Sequence, residues 1–202
     1  MIPSIKRSNR NSTARAKPAL LIIDMINDME FDEGEQLLQF ARPAASSLRQ
    51  LKQRFRLAEF PVVYVNDNFG KWQSNFYSQF DHCVKPGVRG REIAIQLKPD
   101  EKDYFVLKPK HSAFFKTPLD LLLDHLQVET LVITGVATDI CVLFTSNDAY
   151  MRGYQLFVPN DCVAANTQQR SEIALNSMAQ VLKADIRAST DLDINSMCHN
   201  AT

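Results

Sequence analysis

Cys141, Asp24 and Lys108 are the side chains whose types and settings support covalent chemistry in this chain. Cys141 lies six residues after Gly135, in the segment LVITGVATDICVLFTSNDAYMRGY. An apolar run there reads as a strand ending at Gly135; a short turn follows, and a helical pattern starts with Cys141 in its first turn. Unpaired backbone N–H groups and the positive end of a helix favour thiolate, the form that attacks carbon. The plainer use of a free cysteine is as a small buried hydrophobe. Asp24 ends the apolar run ALLIID, and Lys108 follows YFVL. Together an acid, a cation and a thiol make a nucleophilic site. The acid takes the thiol proton and later hands it to a leaving amine. The ammonium stabilises thiolate and carboxylate together. Backbone N–H groups of the turn 135–141 are placed to receive an oxyanion.

The elements that must position these residues follow from pattern. Buried strands are expected at Ala19–Asp24, Pro61–Asn66, Tyr104–Leu107, Thr130–Gly135 and Tyr154–Pro159, with a short sixth at Asp185–Ala188. Between them lie helical stretches. Residues 35–59 carry Pro43, which predicts a break into a short helix and a longer one. Thr117 and Pro118 open a helix with Leu119, Leu122, Leu123 and Leu126 on one face. The Cys141 helix runs to about Arg152 with Thr138 and Asp139 as caps and Gly153 at its end; a last helix covers 168–183. Residues 67–100 show no period and read as a long functional loop. Alternating strands and helices imply a parallel sheet covered on both faces, with its site at the carboxyl ends of the strands. Asp24, Lys108 and the turn before Cys141 all fall there.

The chain has 202 residues, enough for one domain, expected over 18–190, with a disordered basic tail at 1–17 and a C-terminal tail at 191–202. Lys plus Arg and Asp plus Glu each number 23, so the formal net charge is zero. That balance favours neither a nucleic-acid partner nor a membrane surface, and no apolar run is long enough to span a bilayer. The N-terminus lacks an apolar signal region. Cys83, Cys141, Cys162 and Cys198 show no paired spacing and read as reduced thiols of a cytoplasmic protein.

The three segments ALLIIDMINDM, DYFVLKPKHSAFFKTPLDLLL and TLVITGVATDICVLFTSNDAYMRGYQLFVPNDCVAA resemble the isochorismatase-like cysteine hydrolases, in that family's order. The resemblance covers Ala19 to about Lys183. It implies a Rossmann-like α/β fold in three α/β/α layers with six parallel strands. It also implies Asp24 as base, Lys108 as stabiliser and Cys141 as nucleophile. A cis peptide bond between Val136 and Ala137 would aim the amides of Ala137 and Cys141 into an oxyanion hole. Family members are commonly dimers or tetramers, so a homo-oligomer is expected.

Nicotinamidases of the family hold a metal through Asp-x-His and further histidines after the second strand. Here that stretch reads NDNFGKWQSNF and contains no histidine. No metal and no cofactor are expected, and nicotinamide loses favour as substrate. Isochorismatases acting on a vinyl ether do not need a thiol at the Cys141 position. Its presence favours hydrolysis of a C–N bond in a small amide or carbamoyl compound through an acyl-enzyme. Two alternatives are a vinyl-ether hydrolase using Asp24 as acid and a catalytically silent binding protein. The pocket candidates are Asn66, Asp67, Trp72, His111 and Phe114, each with a turn, surface or core role as its rival. Lys110 competes with Lys108 by alternation, and the resemblance selects Lys108.

Overall fold

A computed structural model describes residues 16–70 and 75–198. Trp72, most of the basic N-terminal tail and the last four residues lie outside the described residues. The elements are β1 (Lys17–Ile23), α1 (Gly34–Leu57), β2 (Val62–Asp67), α2 (Phe76–Cys83), α3 (Arg91–Gln96), β3 (Tyr104–Lys108), α4 (Leu119–His125) and β4 (Val128–Val136). A π-helical turn, Thr138–Val142, then leads into α5 (Leu143–Met151), followed by β5 (Gln155–Phe157), β6 (Val163–Ala164) and α6 (Gln168–Val181).

The six strands form one parallel sheet in the order β3-β2-β1-β4-β5, with β6 pairing the end of β4 beyond β5. Alternation within β1 divides the core. Leu20 and Ile22 pack with α1, α2 and α3 on one face. Ala19, Leu21 and Ile23 pack with α4, α5 and α6 on the other. A central strand apolar on both faces must be covered twice, which is the origin of the three layers.

Several elements differ from expectation. Pro43 does not divide α1, which runs unbroken for 24 residues. The carbonyl that Pro43 leaves without a donor belongs to Gln39, and both residues are exposed, so water can serve it. The stretch 67–100 is not one loop, because α2 and α3 occupy much of it. These helices are short, eight and six residues, too brief for a readable period. The sixth strand is Val163–Ala164; at 185–188 only Asp185 makes a bridge, to Phe157. Lys17, placed in the tail by pattern, begins β1. Beyond residue 190, Leu192, Ile194 and Met197 are buried against the α1 side of the core, so 191–198 is not a free tail. Arg54 on α1 ties this segment down by donating to the carbonyls of Ser189 and Leu192. Gly153 follows α5 at φ 79°, and the N–H groups of Gly153 and Tyr154 donate back to Tyr150 and Ala149, a Schellman ending.

Gly135 adopts φ 111°, and a Cβ there would stand 2.0 Å from the carbonyl oxygen of Ile23 on the neighbouring strand. Gly135→Ala is therefore expected to cost about 3 kcal/mol or more of folding stability. Denaturant unfolding of the variant beside wild type measures it.

Candidate active site

Strand register sets the site. Ile23 at the tip of β1 is level with Val65 of β2 and with Gly135 of β4. Asp67 at the tip of β2 is level with Lys108 at the tip of β3. Asp24 leaves β1 in the left-handed region at φ 52°, which Asp tolerates better than most residues, and its N–H donates to Val65 at 2.9 Å. The π-helical turn after β4 carries Cys141 back over the same strand tips.

The three side chains meet there. Lys108 Nζ lies 2.9 Å from Asp24 Oδ2, 3.5 Å from Cys141 Sγ and 3.7 Å from Asp67 Oδ2. Asp24 Oδ1 accepts from the Asp67 N–H at 2.7 Å, and the Asp24 carboxylate also hydrogen-bonds the Cys141 thiol. Lys108 has no exposure to water and Asp24 very little. An ammonium that deep needs anionic partners, and Asp24 supplies the nearest. Lys110, the rival by alternation, is exposed. The Val136–Ala137 peptide bond is cis.

Burial shapes the protonation of all three groups. It pushes the Asp24 carboxyl above the usual carboxylate range, against the opposing pull of Lys108 and of hydrogen bonds from Cys141, Lys108 and Asp67. Burial also works against the Lys108 ammonium, but the carboxylate of Asp24, with Cys141 and Asp67, outweighs it and holds Lys108 above its ordinary value. For Cys141, burial first and the Asp24 carboxylate second push the thiol far up; Lys108 offsets only part. Desolvation and the Asp24 carboxylate thus favour the thiol form of Cys141 over thiolate. The helix-end effect is worth about 2 kcal/mol at most and is outweighed here by desolvation. Thr138 and Asp139 do not cap the turn either: Thr138 bonds Ser171 and Asp139 bonds Arg170.

The pocket candidates separate. Asp67 belongs to the site through its N–H and its carboxylate. Asn66 is fully buried and donates to the Ile26 carbonyl at 2.8 Å, fixing the chain after Asp24. His111 is exposed and packs its ring on Phe144. Phe114 is buried in the core, its ring against Tyr154 and under the Arg152 guanidinium. Gln79, which pattern did not single out, donates to the Asp67 carbonyl at 2.7 Å from α2. No sequence signal marks it, because its role depends on where a two-turn helix lands. Among the described residues no three His, Cys, Asp or Glu side chains gather as metal ligands, and no helix is long and apolar enough to cross a membrane.

The parallel α/β sheet thus carries a thiol, a carboxylate and an ammonium at its strand tips. The Isochorismatase domain family matches residues 18–189, and this chain belongs to the isochorismatase family as one of its hydrolases. It is 44% identical over 173 residues to the uncharacterized isochorismatase family protein YaaI of Bacillus subtilis, covering 86% of this chain and 94% of that protein. It is 32% identical to the ureidoacrylate amidohydrolase RutB of Klebsiella pneumoniae, over 98% of this chain and 93% of that one. Among solved structures, N-carbamoylsarcosine amidase from Thermoplasma acidophilum superposes with a TM-score of 0.66 at 28% identity, covering 88% of this chain and 99% of that one.

Lys108→Met removes the cation and leaves a buried carboxylate unpaired. A loss of about 3 kcal/mol in folding stability is expected. The exposed Lys110→Met should stay within about 0.5 kcal/mol of wild type. Parallel denaturant titrations compare them.

Proposed function

We propose that this hydrolase cleaves the C–N bond of a small amide or carbamoyl compound through a covalent intermediate on Cys141. The observation that carries the reading is the convergence of Cys141 Sγ, Lys108 Nζ and the Asp24 carboxylate within hydrogen-bonding range. Two relatives named above for amide-bond hydrolysis, the amidohydrolase and the amidase, support it.

The chemistry starts from a neutral thiol. Asp24 takes the Sγ proton as sulfur attacks the carbonyl carbon, so thiolate forms only as the S–C bond forms. A carboxyl raised by burial is a better base for that task than a solvated one. Lys108 keeps the region electrically compensated while charge moves from Asp24 to the substrate. The carbonyl oxygen takes the negative charge and is received by the backbone amides of Ala137 and Cys141. Asp24 then gives its proton to the leaving nitrogen, the C–N bond breaks, and an amine or ammonia departs. A thioester remains. Water enters, Asp24 takes one of its protons, hydroxide adds to the thioester carbon, and the C–S bond breaks. The sulfur recovers the proton from Asp24, and the acid product leaves.

Two consequences are measurable. Cys141→Ala should lower kcat over an amide panel by about 1,000-fold or more. Activity toward a vinyl ether that survives Cys141→Ala but is lost in Asp24→Asn would instead establish the acid-only reaction. The second consequence concerns pH. Asp24 must be ionised to accept a proton, so kcat/KM rises with pH through its raised pKa, on an acid limb above the ordinary carboxylate range. Lys108 is raised, so its loss of charge imposes no fall below the ordinary lysine range. A pH profile with its acid limb at an ordinary carboxylate value would count against Asp24 as base.

A further inference from the structure

The π-helical turn Thr138–Val142 carries Cys141, yet no side chain caps its start. Inside the turn the Ala137 carbonyl accepts from the N–H groups of Ile140 and Val142, each at 3.1 Å. Ile140, Cys141 and Val142 offer only apolar or thiol side chains, so the polar anchors of the turn are Thr138 and Asp139. Two consecutive residues of α6 hold them. Ser171 Oγ lies 2.8 Å from Thr138 Oγ1, and Arg170 Nε donates to Asp139 Oδ2 at 2.6 Å. The Asp139 side chain is 17% exposed, and its Oδ1 is buried without a hydrogen-bond partner among the described residues. The carboxylate therefore depends on the Arg170 guanidinium for compensation.

Arg170 is itself fixed from two sides. Its N–H donates to the hydroxyl of Thr167, the N-cap of α6, at 3.2 Å. Its Nη1 stands 3.9 Å from Glu33 Oε2, and Glu33, just before α1, accepts from Asn166 at 3.0 Å. Arg170 thus ties the turn to the starts of α6 and α1. Its own side chain is 41% exposed, and a pair this open to water adds little to global stability. The consequence is local: without the pair the turn loses one of its two side-chain ties to α6. Cys141 lies two residues beyond Asp139, with Sγ 3.5 Å from Lys108 Nζ.

We propose that Arg170 is a positioning residue for the reaction: through Asp139 it sets the turn that presents Cys141 Sγ and the Cys141 amide. The inference rests on the proposed thiol chemistry and adds to it a residue outside the site. Displacing the turn takes Sγ away from the burial and the Asp24 carboxylate that favour its protonated form, so the thiol ionises more readily. Catalysis, which needs sulfur and amide together in place, slows.

Alkylation of each cysteine by iodoacetamide at pH 8, read by peptide mass spectrometry, tests it on wild type, Arg170→Met, Arg170→Lys, Asp139→Ala and the Arg170→Met/Asp139→Ala double variant. Cys141 is expected to react about threefold faster or more in Arg170→Met and in Asp139→Ala, since the rate follows the thiolate fraction. The double variant should be no faster than the faster single, as a coupled pair requires. Arg170→Lys, which keeps the charge, should stay closer to wild type than Arg170→Met. Cys83 and Cys162, both buried, should keep their wild-type rates. Asp139→Ala strands no carboxylate and decides alone if Arg170→Met fails to fold. On the same proteins kcat over the amide panel should fall about tenfold in Arg170→Met and Asp139→Ala, with KM within about twofold. A Cys141 rate unchanged or slowed, additive effects in the double variant, no rescue by Arg170→Lys, acceleration shared with Cys83 and Cys162, or an unchanged kcat would each overturn the proposal. Faster alkylation confined to Cys141, with no amide turnover by wild type, would uphold the placement of Cys141 by Arg170 and reject the amidase reading.

Discussion

A lysine ammonium with no contact with water sits at the tip of β3, and the site is arranged around that fact. A charge taken so far out of solvent costs several kcal/mol unless close anions and hydrogen bonds offset it. Asp24 meets it at 2.9 Å and Asp67 at 3.7 Å. Asp24 is in turn tied by the Asp67 N–H, so the acid that compensates the lysine cannot turn away without leaving two donors unsatisfied. The thiol sits against this pair and inherits its field. That field and the burial favour the thiol at Cys141, although it stands in the first turn of a helix.

The sheet supplies the precision. β1 lies between β2 and β4, and the register aligns the ends of all three with the end of β3. Backbone features finish the placement. The left-handed turn at Asp24 swings its carboxylate toward Lys108. The glycine at 135 lets β4 pass close to β1 before the chain reverses toward Cys141. The neighbouring helices contribute through short contacts, such as Gln79 to the Asp67 carbonyl. Each of these is a local choice by one residue that only the global register makes useful.

Much of this was readable in the residues. Doubly buried strands have near-continuous apolar runs, so β1, β2 and β4 stand out, and their final residues announce the site. The cation at Lys108 was separable from Lys110 only through family resemblance, since alternation puts both on one side; burial separates them physically. What escaped pattern had a physical reason in each case. Pro43 lies on the exposed face of α1, where water can serve the carbonyl it frees. The helices α2 and α3 are too short to show a period. The segment after residue 190 looks polar, yet it buries Leu192, Ile194 and Met197 one at a time, with polar residues between them. The setting of Cys141 is only half legible in the residues, because the helix terminus is a local property visible in sequence, whereas desolvation and the Asp24 carboxylate arrive only with the tertiary fold.

On the proposed chemistry, Asp24 stays ionised because Lys108 is buried beside it, and the sulfur stays protonated until a carbonyl carbon is in reach. The ultraviolet absorbance of thiolate, taken as the difference between wild type and Cys141→Ala across pH, reads that state directly. The account predicts no Cys141 thiolate at neutral pH, with the signal growing only well to the alkaline side of an ordinary cysteine. A full thiolate signal at neutral pH would contradict it.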